Sequence, residues 1–189
     1  MEELYNRIFN RLKGCSRVVF LGIGENKLTD DGIGPYIITE LLEYTSKKFL
    51  FINAGIDPMV RISEITNFKP SHLIILDTCT LQAEPGTIAL IDRENISEYV
   101  PISSHTIPIH IVIDLIHESL PNLNTFMIGF VPKSLDGFTQ LRQYKKGELS
   151  LDEINENENL PLFDFQLTEE LQKTANNTIK LIKKLIKEV

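Results

Sequence analysis

Short apolar runs of strand length recur along the chain and alternate with stretches of helical periodicity. The first run spans residues 17–23, and further runs lie at residues 49–53, 72–76, 87–92 and 125–130. Continuous runs of this kind are typical of strands that are covered on both faces. Amphipathic periodicity is seen between them, at residues 1–12, 32–44, 58–66, 108–120 and 168–188.

This alternation predicts an α/β fold. Since short buried strands separated by helices usually form a parallel sheet with right-handed crossovers, we expect a three-layer sandwich. Its mostly parallel, twisted central sheet would be flanked by helices on both faces. At 189 residues the chain has the length of one domain, and we expect a single domain over residues 1–189.

One stretch, residues 133–165, lacks the periodicity of the rest and is rich in acidic residues and asparagine. Its acidic side chains include Glu148, Asp152, Glu153, Glu156 and Glu158. A stretch of this polarity cannot build a core of its own, so we expect an acidic insertion in the single domain. Surface insertions of this kind often carry recognition, and we expect this one to help select a partner.

The charge balance excludes several classes of partner. With 19 Lys and Arg against 26 Asp and Glu, the net charge is −7, so broad binding to nucleic acid is not expected.

No apolar run is long enough to span a membrane, and the chain opens with Met1-Glu2-Glu3 rather than a basic leader, so we expect a cytoplasmic protein. Cys15 and Cys79 are the only cysteines, and we expect both to be reduced.

Polar residues that follow the predicted strands are the first candidates for chemistry, because ligands bind beyond the carboxyl ends of parallel strands. Glu25, Asp30 and Asp31 follow the first strand, Asp77 follows the third, and His105 lies in the loop after the fourth. We therefore expect Asp31, Asp77 and His105 to meet at one edge of the sheet. Two oxygen donors and one imidazole suit a divalent metal with open coordination positions.

Each of these residues also has a simpler interpretation. Asp30 or Asp31 could cap the helix that follows, because aspartate is a preferred N-cap residue. Asp77 could be a turn residue at a strand end, and His105 could be a solvated loop residue. The functional interpretation depends on all three falling at the same edge of the sheet.

The glycines of Gly22-Ile23-Gly24 suggest a nucleotide-binding loop, since they follow a strand and precede a helix. The dinucleotide fingerprint has a third glycine, however, and Lys27 stands in its place. Asp30 and Asp31 also lie where a pyrophosphate would approach the helix N-terminus. The sequence therefore argues against a dinucleotide site.

Two further patterns have a chemical and a structural interpretation. His110, Asp114 and His117 share one helical face and could bind a metal, although an exposed polar face explains them more simply. Cys79 could act as a nucleophile with help from His105, because only the thiolate attacks. A buried, unreactive thiol is the favoured interpretation of Cys79.

Five segments, in this order along the chain, resemble the hydrogenase maturation endopeptidases, which trim the C-terminus of the large subunit of nickel–iron hydrogenases. They are Gly22-Ile23-Gly24, Leu28-Thr29-Asp30-Asp31-Gly32-Ile33-Gly34-Pro35, Leu76-Asp77-Thr78, Ser104-His105-Thr106-Ile107-Pro108 and Ile128-Gly129-Phe130-Val131-Pro132. The resemblance covers residues 17–132 and the last helix. It implies a phosphorylase/hydrolase-like α/β fold and endopeptidase activity.

By that resemblance, Asp31, Asp77 and His105 correspond to the family's catalytic and metal-contacting residues. The metal implied is nickel supplied by the precursor, and another divalent metal could substitute for it. Such an ion would polarise the scissile carbonyl or lower the pKa of a bound water. The partner implied is the large-subunit precursor, held in a transient complex, and we expect a monomer.

Three positions depart from the family pattern. Glu25 stands where the family usually has Asn, Thr29 where Gly is common, and Gly55-Ile56-Asp57-Pro58 differs from the usual Gly-Thr-Ala-Pro-Glu. None of these departures removes a proposed ligand. The extra N-terminal helix and the acidic insertion leave the identity of the substrate open. Two alternatives remain: a stand-alone metallopeptidase or amidase with a permanently bound ion, and a metal-dependent assembly factor that binds a partner without cleaving it.

Overall fold

The apolar runs of the sequence form one five-stranded sheet in the computed structural model. The structure describes residues 1–26, 28–100, 107–135, 147 and 166–189. The strands among these residues are β1 (Val18–Ile23), β2 (Phe49–Gly55), β3 (His72–Thr78), β4 (Ile88–Asp92) and β5 (Asn124–Phe130). Every residue of β1 and β3 is buried, as expected for central strands covered on both faces.

The sheet has the order β2-β1-β3-β5-β4. The first four strands in that order are parallel, and β4 pairs with β5 in the antiparallel direction. In register, Val18 of β1 pairs with His72 of β3, which in turn pairs with Asn124 of β5. The carboxyl ends of β1, β3 and β5 therefore lie together at one edge of the sheet, which we call the carboxyl edge.

Helices cover both faces of the sheet. Among the described residues they are α1 (Glu2–Leu12), α2 (Ile33–Thr39), α3 (Ile62–Phe68), α4 (Ile96–Tyr99), α5 (Ile109–Ser119) and α6 (Glu169–Glu188). Apolar residues of α1, α2 and α6 pack into one core cluster, and those of α3, α4 and α5 pack into a second cluster on the opposite face. The predicted three-layer α/β sandwich with a mostly parallel sheet is confirmed.

Close contact between α2 and the sheet depends on glycine. A Cβ atom at Gly34 would lie 2.3 Å from the carbonyl oxygen of Leu76 and 2.5 Å from that of Ile23. A Cβ atom at Gly22 would lie 2.5 Å from the carbonyl oxygen of Gly34. All three distances are far below van der Waals contact, so only glycine at these two positions lets α2 lie against the ends of β1 and β3. Gly22 therefore has a packing role.

The helix predicted over residues 32–44 is shorter than expected. A 3₁₀ turn at Thr29–Gly32 precedes α2, and a second 3₁₀ turn at Leu42–Tyr44 follows it. The acidic insertion predicted at residues 133–165 lies almost entirely outside the described residues. Among the helices that the structure describes, none combines the length and apolar character needed to cross a membrane.

Candidate functional site

The first part of the site is the turn between β1 and α2, which carries Asp31. Gly24 opens this turn with φ +128°, a backbone conformation that side chains disfavour. A Cβ atom at Gly24 would also lie 1.9 Å from the carbonyl oxygen of Asp31. The glycine thus lets the turn fold back on itself and brings Asp31 against the carboxyl end of β1.

Asp31 is a buried carboxylate, with 1% of its surface exposed. Its Oδ2 accepts a hydrogen bond from the backbone N–H of Glu25 at 2.8 Å, and its Oδ1 lies 3.5 Å from the hydroxyl of Thr78. The N-cap residues of the 3₁₀ turn and of α2 are Leu28 and Gly32, so Asp31 lies inside the turn and is not an N-cap residue. The capping interpretation of Asp31 is therefore wrong.

Asp77 reaches the same edge from β3 and is also buried, with 2% of its surface exposed. Its Oδ1 accepts the backbone N–H of Thr78 at 2.7 Å. Thr78 therefore contacts both carboxylates, through its amide to Asp77 and through its hydroxyl to Asp31. The structure thus places Asp31 and Asp77 at the carboxyl edge, each in contact with Thr78.

The sequence analysis gave no role to Thr78, which contacts both carboxylates. Its position directly after Asp77 was visible in the sequence, but a threonine at a strand end carries no special signal. Only the parallel pairing of β1 with β3 places this hydroxyl beside Asp31.

Asp30, the neighbour of Asp31, has a structural role. It is fully buried, and its carboxylate accepts hydrogen bonds from the backbone N–H groups of Lys133, Ser134 and Thr168 at 2.8–2.9 Å. These bonds join the turn after β1 to the segment after β5 and to the start of α6. Asp30 therefore fixes two distant segments and makes no side-chain cap to the described α2.

His105 lies outside the described residues, so its position stays a prediction. The reason given for placing it at the carboxyl edge was wrong, because β4 is antiparallel and ends at the opposite edge. After β4, however, the chain runs back toward the carboxyl edge through α4. At the end of α4, the carbonyl oxygen of Tyr99 accepts the backbone N–H of Thr80 at 2.8 Å. On the other side, α5 leads toward the amino end of β5, so α5 itself begins toward the carboxyl edge. Both described flanks of the His105 segment thus lie toward the carboxyl edge.

Cys79 is buried at the end of β3, with 1% of its surface exposed. Burial and, to a smaller extent, the negative charge of Asp77 together raise the pKa of its thiol to about 11. A thiol of this pKa is protonated at neutral pH, and only the thiolate is an effective nucleophile. The geometry supports the unreactive interpretation.

The polar trio on α5 has partners of its own. Asp114 forms an ion pair with Arg93 at 2.7 Å, and a ring nitrogen of His117 lies 2.9 Å from the hydroxyl of Thr125. Burial lowers the pKa of His117, and the charge of Arg93 lowers it further. His110, Asp114 and His117 therefore form the polar face of α5. This agrees with the simpler of the two interpretations, an exposed polar face.

The donor chemistry of Asp31 and Asp77 fits a divalent cation. Carboxylate oxygens are common ligands of such ions, and both carboxylates lie at the carboxyl edge in contact with Thr78. Within the part of the chain that the structure describes, no group of three or more His, Cys, Asp or Glu side chains could hold a metal ion. Asp31 and Asp77 can supply part of a ligand set, and His105 is the predicted third member.

Known proteins resemble this chain in sequence. A putative hydrogenase maturation protease of Methanocaldococcus jannaschii is 28% identical over 137 residues, which cover 68% of this chain and 80% of that protein. The hydrogenase 3 maturation protease of Escherichia coli K12 is 28% identical over 102 residues, which cover 54% of this chain and 65% of that protein.

A solved structure has the same fold. The crystal structure of the NiFe hydrogenase maturation protease HycI from Thermococcus kodakarensis matches with a TM-score of 0.72 at 22% sequence identity. The match covers 96% of this chain and 99% of that one. At this level of identity the likeness establishes the α/β fold.

The family model for the HycI hydrogenase maturation protease matches residues 35–148, more than half of the chain. The match includes Asp77 and begins four residues after Asp31, counted along the sequence. Together with the fold and the aspartate pair at the carboxyl edge, it shows that this chain belongs to the hydrogenase maturation proteases, a family of peptide-bond hydrolases.

Proposed function

We propose that this chain removes a C-terminal peptide from the nickel-loaded large-subunit precursor of a nickel–iron hydrogenase. It would act in the cytoplasm, as a monomer in a transient complex with that precursor. Family membership supports the activity. The observation that carries the site is the pair of buried carboxylates, Asp31 and Asp77, that contact the same residue, Thr78.

The residues of the site have separate roles in this proposal. Asp31 and Asp77 supply oxygen ligands to the nickel of the precursor, and His105 supplies a nitrogen ligand as the neutral imidazole. A divalent ion held there would polarise the scissile carbonyl or lower the pKa of a bound water. The backbone N–H of Glu25 holds the carboxylate of Asp31 in place, and that of Thr78 does the same for Asp77.

Nickel enters this site as part of the substrate, and another divalent metal could replace it. A site with only a few protein ligands binds a free ion weakly, whereas a precursor that already holds the ion supplies the other ligands. The protease would then bind loaded precursors and spare empty ones. The ligand set therefore provides a checkpoint for metal insertion.

The test is a cleavage assay on purified precursor, loaded with nickel or left empty. We expect cleavage of the loaded precursor alone, measured by mass spectrometry of the released peptide. Cleavage of generic peptides with added metal would instead favour the stand-alone metallopeptidase or amidase. Binding of the loaded precursor without cleavage would favour the assembly factor.

A further inference from the structure

A groove of about 920 Å³ lies between α2 and α6 and opens at the candidate site. At one end it is lined by Asn26, Thr29 and Gly32, which belong to the turn that carries Asp31. At the other end it reaches Lys180 on α6. A chain bound in this groove would therefore pass from the turn that carries Asp31 along the surface of α6.

The two walls of the groove are held together by hydrogen bonds. The side-chain amide of Gln172 on α6 donates to the hydroxyl of Tyr36 on α2 at 2.8 Å. At the site end, the carboxylate of Asp30 accepts the backbone N–H of Thr168, just before α6 begins, at 2.8 Å. The groove is thus formed before any ligand arrives, which lowers the entropy cost of binding.

The walls offer the chemistry that an extended peptide needs. The α6 side carries the carboxamides of Gln172, Asn176 and Asn177, and that of Gln166 just before the helix. The amide of Gln172 already donates to Tyr36 and to Oδ1 of Asn176, but its oxygen can accept, and the amide groups of Asn176 and Asn177 can pair with the N–H and C=O groups of a peptide backbone. The site end adds the hydroxyl of Thr29, which is buried and has no hydrogen-bond partner among the described residues.

Two lysines of α6, Lys173 and Lys180, are the positively charged side chains that line the groove. Both are exposed, and neither forms an ion pair within the part of the chain that the structure describes. Glu40 and Glu169 also line the groove. Because Lys180 lies at the end remote from Asp31, it is placed to meet a carboxylate some distance from the scissile bond.

The length of the groove limits the size of its occupant. From Glu169, where α6 begins, to Lys180 the helix rises by about 17 Å, at roughly 1.5 Å for each residue. An extended peptide advances roughly 3.3 Å for each residue, so about five residues fit along this wall. This is the size of a peptide segment and is too small for a folded domain.

We propose that this groove binds the first residues of the precursor's C-terminal extension, directly after the scissile bond, in an extended conformation. An acidic side chain of that extension would lie between Lys173 and Lys180. The inference rests on the proposed function, since it assigns the substrate segment of the same site. It adds a recognition surface that requires the extension itself, besides the metal.

The test measures steady-state cleavage of nickel-loaded precursor by variants of the full chain. Exchanging both groove lysines, Lys173→Gln with Lys180→Gln, should raise KM about threefold to tenfold and leave kcat near wild type, because exposed charge contacts are worth roughly 0.2–1 kcal/mol each. The effect should shrink at high salt. Lys187→Gln, the same change on an exposed part of α6 outside the groove, is the matched control and should not alter KM.

A second variant fills the groove without changing its charge. Asn176→Trp should raise KM more strongly than the lysine exchange, whereas Lys187→Trp should not. Wild-type protein that cleaves no loaded precursor would refute the proposed function itself. Normal cleavage by wild type with an unchanged KM in the groove variants would overturn only the groove assignment. A change of oligomeric state in sedimentation with unchanged KM would likewise overturn it, by making a second copy of this chain the occupant.

Discussion

The carboxylate of Asp30 holds the start of the last helix through Thr168, which lies 138 positions further along the chain. The backbone N–H of Thr168 donates to Oδ1 at 2.8 Å, and its hydroxyl donates to the same oxygen at 2.9 Å. Oδ2 accepts the backbone N–H groups of Lys133 and Ser134. One buried side chain therefore joins three segments, next to an aspartate that we assign to catalysis.

The exchange Asp30→Ala should destabilise the protein severely. It would leave three backbone N–H groups without their acceptor, and each unsatisfied buried donor costs about 1–3 kcal/mol. We expect a loss of at least about 3 kcal/mol in the free energy of unfolding, measured by denaturant titration. Asp31→Asn is the comparison, since it keeps the shape of the side chain. Equal stability of the two variants would contradict the structural role of Asp30.

The exchanges Asp31→Asn, Asp77→Asn and His105→Ala should each abolish cleavage of nickel-loaded precursor while the protein still folds. Each change removes one expected ligand, and the asparagines keep a side-chain oxygen that can accept the bonds from Glu25 and Thr78. Circular dichroism and the cleavage assay give the two readouts. Asp92→Asn is the control, because Asp92 ends β4 at the opposite edge of the sheet. Full cleavage by any of the three variants would remove that residue from the site.

The exchange Gly34→Ala should prevent close packing of α2 on the sheet. The added methyl group would lie 2.3 Å and 2.5 Å from two backbone carbonyl oxygens, which cannot move aside as a side chain can. We expect a loss of more than about 3 kcal/mol, or no folded protein. Gly55→Ala is the control, since Gly55 has φ +55° and open space around it, so only the backbone penalty of about 1–2 kcal/mol applies.

Much of the fold follows from the pattern of apolar residues. Runs such as Val18–Ile23 and His72–Thr78 are buried on both faces, and their composition alone predicts central strands. The direction of β4 could not be predicted, because an apolar run has the same pattern in a parallel and in an antiparallel strand. The antiparallel pairing of Ile88 with Phe130 is a tertiary contact that leaves no mark on the sequence.

The site shows the same division. Asp31 and Asp77 could be predicted as site residues, because polar residues at the ends of buried strands must lie at an edge of the sheet. The sequence did not separate Asp30 from Asp31, since both are aspartates in one turn before a helix. Their roles differ through partners that are distant in the chain, Thr168 for Asp30 and Thr78 for Asp31. Periodicity and spacing contain no information on such contacts.

The exchange Thr29→Gly should stabilise the protein. Thr29 has φ +46°, a left-handed conformation that costs a side-chain-bearing residue about 1–2 kcal/mol, and its buried hydroxyl has no partner among the described residues. Glycine removes both penalties. It also makes the unfolded chain more flexible, which offsets part of the gain, so we expect a net increase of about 1 kcal/mol in the free energy of unfolding, measured by thermal or chemical denaturation. Thr66→Gly in α3 is the control and should lower stability by a similar amount. A lower midpoint for Thr29→Gly would show that its methyl group contributes more through packing than the backbone conformation costs.

The exchange Cys79→Ala should leave cleavage of nickel-loaded precursor intact. Cys79 packs over Gly129, where an added Cβ would lie 2.8 Å from its sulfur, so the thiol fills space in the core. Removing it leaves a small cavity, and we expect a stability loss of about 1–2 kcal/mol with unchanged kcat. Asp77→Asn should show the reverse pattern, with cleavage lost and the fold retained. If Cys79→Ala folds normally but cleaves no precursor, the thiol takes part in the reaction, and the assignment of the chemistry to the carboxylates and His105 is wrong.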